Sequence, residues 1–112
     1  MFENLADVAI PDAGAAVYSD VTVSGVAGNA PSTLKVGVEI RHSWSGDVVI
    51  DLVAPDGSTY RLKSASSSSA PDVVATYTVN ASSEPANGTW RLKVQDVYRQ
   101  DTGYVDAWRL TF

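Results

Sequence analysis

The stretch HSWSGDVVIDLVAPDG, which begins at residue 42, contains the one histidine of the chain, a serine beside it and three aspartates. A serine hydrolase needs a histidine nitrogen within about 3 Å of the nucleophilic hydroxyl and a carboxylate that orients the other nitrogen. His42 and Ser43 are adjacent, and on a strand their side chains point to opposite faces, so these two residues cannot form that pair. A serine from a distant loop remains open as a nucleophile. However, His42 continues the apolar face of Leu34 to Ile40, which favours a buried histidine bonded to a neighbouring polar group over a catalytic one.

Aspartates stand at the ends of several predicted strands. Asp47 begins a strand, Asp96 ends another, Asp101 lies in the loop before the last strand, and Asp12 follows VAIP near the N-terminus. Calcium takes about 6 to 8 oxygen ligands, commonly from carboxylates, backbone carbonyls and water. These side chains therefore make calcium a candidate ligand. The alternative is that they cap turns through hydrogen bonds to nearby backbone amides. A zinc site built from several histidines or from cysteines is excluded, because the chain has one histidine and no cysteine.

Three tryptophans and five tyrosines raise the possibility of a carbohydrate-binding surface. Trp90 and Trp108 lie on alternating segments whose partners are core-like, which favours packing over ligand binding. Trp44 stands in a loop and is the best candidate for an exposed aromatic contact. A glycosidase would need two carboxylates roughly 5 to 9.5 Å apart, one of them a general acid with a raised pKa. No carboxylate in the sequence is marked for that role.

The elements that must position these residues are strands. Side chains alternate with a period of two through STLKVGVEIRHSW, DVVIDLVAP, VVATYTVNA and GTWRLKVQD, and no segment has a helical period. In the turn APDGS, Pro55 presets its φ and Gly57 accepts the left-handed conformation that closes the turn. Seven to nine short strands with this punctuation predict an all-β jelly-roll sandwich of about eight strands.

Length and charge limit the function classes. The 112 residues predict a single domain over 1–112, and 13 acidic against 8 basic residues give a net charge of −5. A chain with this charge would be repelled by a phosphate backbone, so we expect no nucleic-acid partner. The longest apolar runs are far shorter than the roughly 20 residues that span a bilayer, so no membrane span is expected. We interpret Met1 as an expression start and expect any secretion signal to lie outside this chain.

Three segments together carry a resemblance to a known family: IPDAG, VEIRHSWSGDVVIDLVAPDGSTYRL and GTWRLKVQDVYRQDTGYVDAWRLTF. In this order and spacing they resemble the P domain, or Homo B domain, that follows the catalytic domain in kexin- and furin-like proprotein convertases and in many secreted bacterial proteases. The resemblance covers nearly the entire chain. The absence of cysteine and the compact loops are more similar to the bacterial members.

The resemblance implies an accessory domain without catalytic residues of its own. It would help to fold, stabilise and regulate a protease catalytic domain in the same secreted chain, with a proteinaceous substrate or inhibitor as a further partner, and would be a monomer in isolation. The resemblance also implies calcium, with ligands carried over to Asp47, Asp96, Asp101 and Asp12. Asp106 stands where the family more often has a neutral residue, so it is either a further ligand or a surface charge. The competing interpretation is a stand-alone carbohydrate- or surface-binding β-sandwich.

Overall fold

Strands lie in the segments where alternating apolar and polar side chains predict them. The computed structural model describes residues 2–67, 70–97 and 103–112. Within these residues there are nine strands: β1 (Phe2–Asn4), β2 (Val8–Ile10), β3 (Val17–Val23), β4 (Leu34–His42), β5 (Val48–Val53), β6 (Thr59–Lys63), β7 (Val73–Val79), β8 (Gly88–Asp96) and β9 (Gly103–Thr111). A 3-10 turn, Ser45–Asp47, precedes β5. Asp47 was expected to begin a strand; it closes this turn instead, and the strand begins at Val48.

The strands form two antiparallel sheets. One has the order β1-β9-β4-β7, with β2 also paired to β9, and the other has the order β3-β8-β5-β6. The short strands β1 and β2 pair with different parts of β9, through Asn4↔Trp108 and Val8↔Val105. They therefore share one strand position, which leaves four positions in each sheet. This arrangement confirms the predicted all-β jelly-roll sandwich of about eight strands.

The core lies between the sheets and is centred on two aromatic side chains. Trp90 on β8 and Trp108 on β9 are fully buried. Each indole N–H has an acceptor: Trp90 donates to the carbonyl oxygen of Ala86 at 2.9 Å, and Trp108 donates to the hydroxyl of Ser19 at 2.9 Å. The Trp108–Ser19 bond joins the two sheets, because β9 and β3 belong to different ones. The prediction that both tryptophans pack in the core is confirmed.

Strand pairing defines two ends of the sandwich. The pairs His42↔Gly103 and Val48↔Asp96 bring together the ends of β4 and β8 and the starts of β5 and β9, which we call the His42 end. At the opposite end the chain turns through residues 54–58 and 80–87, which we call the Glu84 end. No helix in residues 2–67, 70–97 or 103–112 has the length and apolar character that crossing a bilayer requires.

Candidate functional site

A histidine–aspartate pair joins the two sheets at the His42 end. The inward faces of β4 and β8 bring His42 and Asp96 together from different sheets, although 54 residues separate them in sequence. The imidazole Nε2 lies 3.0 Å from an Asp96 carboxylate oxygen, and both side chains have no exposed surface. The residue after β4 has the opposite orientation, since Ser43 is exposed. The expectation that His42 is buried and bonded to a polar neighbour is confirmed.

Hydrogen bonding determines which nitrogen of His42 carries the proton. The backbone N–H of Trp44 donates to Nδ1 at 3.0 Å, so Nδ1 is an acceptor. Nε2 therefore carries the hydrogen and donates it to Asp96. In a Ser-His-Asp triad one ring nitrogen must be available to the nucleophile. Here both nitrogens are occupied inside the protein, so the ring serves as a link between backbone and carboxylate.

Gly103 makes room for this ring. It pairs with His42 across β4 and β9, and a Cβ built on Gly103 would lie 2.6 Å from Cδ2 of the imidazole. Real Cβ atoms essentially never approach other heavy atoms so closely. The start of β9 can therefore pass beside the histidine only with glycine at this position.

A second buried aspartate lies beside a lysine that sequence reasoning missed. Asp47 is 6% exposed, and the ammonium group of Lys63 donates to the carbonyl oxygens of Ser45 and Val48 on either side of it, at 2.6 and 2.8 Å. Burial lowers the pKa of Lys63, while the nearby charge of Asp47 acts to raise it. The acceptors are backbone atoms 15 to 18 residues away, so no side-chain pattern in the sequence marks them.

The aspartates predicted to bind calcium are only partly brought together. Asp47 and Asp96 lie on adjacent segments, because Val97 N–H donates to the Asp47 carbonyl at 3.0 Å. Asp12 lies at the same end, in the exposed turn after β2, since Ile10 pairs with Gly103. Asp106 is directed elsewhere: its carboxylate lies 3.5 Å from the guanidinium Nε of Arg41. Asp101 lies outside the described residues.

The fit of this end to calcium is incomplete. Carboxylate oxygens are the donors that calcium prefers, and Asp47 and Asp96 supply them. However, one Asp96 oxygen is bonded to His42, and two carbonyl oxygens beside Asp47 are bonded to Lys63. No three histidine, cysteine, aspartate or glutamate side chains of the described residues come together as a metal-binding group. Asp47 and Asp96 are therefore the two predicted ligands that the described residues place on adjacent segments.

The exposed aromatic predicted from sequence is found at the same end. Trp44 is 42% exposed, and Tyr104 and Val97 are exposed to a similar extent. Trp44 precedes the 3-10 turn, and Tyr104 follows Gly103 on β9. At the His42 end the polar side chains of His42, Asp47 and Asp96 are thus buried, whereas the aromatic side chains of Trp44 and Tyr104 are exposed.

These features define a β-sandwich domain in which both ring nitrogens of the histidine are hydrogen-bonded inside the protein. The chain matches the proprotein convertase P-domain family over residues 31–112, well over half its length. It belongs to this family, which confirms the resemblance seen in the sequence.

Three relatives are proteolytic or inhibitor-inactivating proteins by name. The chain is 59% identical over 112 residues to the leupeptin-inactivating enzyme 1 of Streptomyces exfoliatus, covering 99% of this chain and 26% of the relative. It is 61% identical to the transglutaminase-activating metalloprotease of Streptomyces mobaraensis, covering 100% and 15%. It is 32% identical to the extracellular basic protease of Dichelobacter nodosus, covering 86% and 16%. The chain therefore spans about a quarter or less of each relative.

A solved structure shows the same fold. The serine protease of Aeromonas sobria, in a complex with a chaperone, matches with a TM-score of 0.71 and 20% identity, covering 91% of this chain and 24% of the protease chain. At this identity the match supports the fold alone.

Proposed function

We propose that this chain is a non-catalytic accessory domain of a secreted bacterial protease, and that it stabilises and regulates the adjacent catalytic domain. The observation that carries the proposal is the length of the match. Most or all of this chain aligns with two proteins named as proteases, but the aligned part is only 15% to 16% of their length. The buried and doubly bonded His42 supports the non-catalytic role. Secretion is supported by a relative whose name describes it as extracellular.

The proposed mechanism is burial of surface between domains. An appended sandwich covers apolar area on its neighbour, and each Å² removed from water contributes about 25 cal/mol. For a protease exposed to its own activity, suppressing local opening also suppresses self-digestion. Contact with a proteinaceous substrate or inhibitor is a further part of the proposal, as is a monomeric state of the chain in isolation.

Calcium bound at the His42 end is a further part of the proposal. The ligands would come from Asp12, Asp47, Asp96 and Asp101, whereas the ion pair with Arg41 favours a surface-charge role for Asp106. A bound ion would add RT ln(1 + [Ca]/Kd) to the stability, or about 2.7 kcal/mol at one hundred times Kd. After chelation, calcium but not magnesium should then raise the thermal midpoint, and Asp47→Asn should abolish the rise. An unchanged midpoint on adding calcium would remove calcium at this end from the proposal.

The accessory role is tested in the full-length protease. Deleting the domain should reduce secretion, activity and thermal half-life, because the catalytic domain loses the surface that covers it. As a matched control, Ser43→Ala within the intact protein should leave all three unchanged, since this exposed hydroxyl has no catalytic role in the proposal. If the deletion has no effect, the accessory function is wrong. If Ser43→Ala abolishes proteolysis, the domain takes part in catalysis.

A carbohydrate- or surface-binding module is the second candidate, favoured by the exposure of Trp44 and Tyr104 at one end. Titration of the chain with polysaccharides, followed by tryptophan fluorescence, would show saturable binding that Trp44→Ala removes. Tyr18→Ala is the control, because Tyr18 is also exposed but lies on β3 in the other sheet. The absence of saturable binding would exclude this candidate for the polysaccharides tested.

A further inference from the structure

Strand β7 is an edge strand whose outer side has no strand partner among the described residues. It pairs with β4 on its other side, in an unbroken register from Leu34↔Val79 to Ile40↔Val73. Alternate residues of a strand direct their backbone N–H and C=O groups to opposite sides, so about half of those in β7 point away from β4. No backbone hydrogen bond from a described turn or loop reaches them. β7 therefore presents a row of open backbone donors and acceptors.

The other sheet edges are protected in ways that β7 is not. β1 and β2 have three residues each, and both contact β3, so one side of the sandwich is closed. β3 contains Asp20, and β6 contains Arg61 and Lys63; charges on an edge strand oppose the addition of another strand. β7 has seven residues, VVATYTV, with no charge, no proline and no shift in register. Within the part of the chain that the structure describes, it is the edge suited to pairing with a further strand.

The side chains along β7 are also incompletely covered. Ala75 and Tyr77 pack against the core but are only partly buried, whereas the apolar inward side chains of the neighbouring β4 are almost completely buried. On the outer face, Val74 is 61% exposed. A strand added beyond β7 would cover both faces, because its alternate side chains would pack beside Ala75 and Tyr77 on one face and beside Val74 on the other.

The outer face next to β7 contains a hollow whose charges are paired. The hollow has a volume of about 380 Å³, and its lining includes Gly37 on β4 and the side chains of Val74 and Thr76 on β7. Its two charged side chains, Arg109 and Glu39, are bonded to each other at 3.3 Å. A segment that covers this face therefore leaves neither charge buried without a partner, which would be unfavourable.

We infer that β7 is the docking edge for an extended segment of the catalytic domain in the same polypeptide, which adds to the sheet as a further strand. The inference rests on the proposed accessory function and names the surface through which that function acts. The segment is uncharged and rich in β-branched or aromatic residues, because it lies against VVATYTV. The chain spans about a quarter or less of its relatives, so most of such a polypeptide can supply the segment.

Tethering favours a segment of the same polypeptide over a separate protein. Ordering an extended segment costs conformational entropy at every residue, and the net gain from each main-chain hydrogen bond is of similar size or smaller. A free peptide would therefore bind this edge weakly. A segment of the same polypeptide acts at an effective concentration of the order of millimolar, so the same contacts suffice. Strand addition to an open sheet edge is a recurring mode of peptide recognition.

The experiment is hydrogen–deuterium exchange of the backbone amides of residues 73–79, measured by mass spectrometry in the 112-residue chain and in the full-length protease. In the isolated chain, the amides that point away from β4 should exchange rapidly. In the full-length protease their exchange should be slower by about tenfold or more, because the added strand accepts hydrogen bonds from them.

A lysine on β7 tests the edge directly. Thr76→Lys should remove the protection of residues 73–79 and shorten the thermal half-life of the full-length protease, because lysine on an edge strand opposes strand addition. The thermal midpoint of the isolated chain should stay nearly unchanged, since Thr76 is exposed. Thr22→Lys is the matched control: Thr22 is also exposed on an edge strand, β3 of the other sheet, and its substitution should change neither quantity.

The results separate failure of this inference from failure of the accessory function. If deletion of the domain shortens the half-life but residues 73–79 exchange equally fast in both proteins, the inference is wrong and the accessory function stands. Equal effects of Thr76→Lys and Thr22→Lys would also overturn it. Protection that grows with the concentration of the isolated chain would assign the edge to a second copy, and protection that requires added casein would assign it to a substrate; either result overturns the inference. If Thr76→Lys destabilises the isolated chain, Val74→Lys tests the same point, since Val74 is largely exposed.

Discussion

Removing the carboxylate of Asp96 should destabilise this domain, because a buried hydrogen-bond donor loses its acceptor. Asp96 is fully buried and accepts the Nε2 hydrogen of His42 at 3.0 Å. In Asp96→Ala that hydrogen would stay in the core without an acceptor. Losing a hydrogen bond to a charged group and leaving its buried donor unsatisfied costs about 1.5 to 3 kcal/mol. We therefore expect Asp96→Ala to lower the free energy of unfolding by about that amount.

The amide variant is the informative comparison. In Asp96→Asn the side-chain oxygen can still accept the Nε2 hydrogen, while the charge is lost. The difference between charge-assisted and neutral hydrogen bonds is about 1 kcal/mol, so we expect a loss of about 1 to 2 kcal/mol. Near this domain size each kcal/mol corresponds to about 4 to 8 °C in the thermal midpoint. Asp96→Ala should thus lower the midpoint by about 6 °C or more.

The assay is urea unfolding followed by fluorescence of the buried tryptophans, with a chelator present so that metal binding contributes nothing. Asp20→Ala and Asp20→Asn are matched controls: Asp20 lies on β3, and its pair with Arg91 is about half exposed on both sides. Exposed pairs of this kind contribute about 0 to 1 kcal/mol. The reasoning is refuted if Asp96→Ala costs less than about 1 kcal/mol, or if the alanine and asparagine variants are equally destabilised.

Three further changes test the packing around the sheets. Gly103→Ala should lower stability by roughly 1 to 3 kcal/mol, because its Cβ would meet the ring of His42; an unchanged urea midpoint would contradict this close contact. Lys63→Met should lower the thermal midpoint by an amount that corresponds to about 1 to 3 kcal/mol, since two carbonyl oxygens lose their donor; a midpoint equal to that of the parent would show that water replaces the ammonium. Trp108→Phe should cost about 1 to 3 kcal/mol in urea unfolding, because the Ser19 hydroxyl loses its donor; a loss of less than about 0.5 kcal/mol would mean that the ring fills the space without that bond.

Much of the fold could be predicted because strands impose a period of two on their side chains. That period assigned Trp90 and His42 to the interior, and both are buried. The turn at Pro55 and Gly57 was equally local, and Gly57 has the expected positive φ of 92°. Each of these features depends on residues that are neighbours in sequence, so single-chain patterns contain them.

The candidate site was less predictable. The period shows that His42 and Asp96 both face inward, but not that β4 and β8 lie across from each other at this end. Glu84 follows no strand period, so its burial had no signal in the sequence. The pairing of β4 with β9 shifts between Glu39 and Ile40, opposite Asp106. The strand period does not predict this shift.

The sequence by itself determined which faces of the strands are apolar, where the chain turns and which family it belongs to, because these depend on side-chain types at short spacing. Only the tertiary structure decided that His42 bonds to Asp96, that Lys63 donates to the carbonyls beside Asp47, and that Glu84 is buried and bonded to Tyr60. The physical reason is that such contacts join strands and loops far apart along the chain. They are set by sheet order and by backbone atoms, which carry no signature in the side-chain pattern.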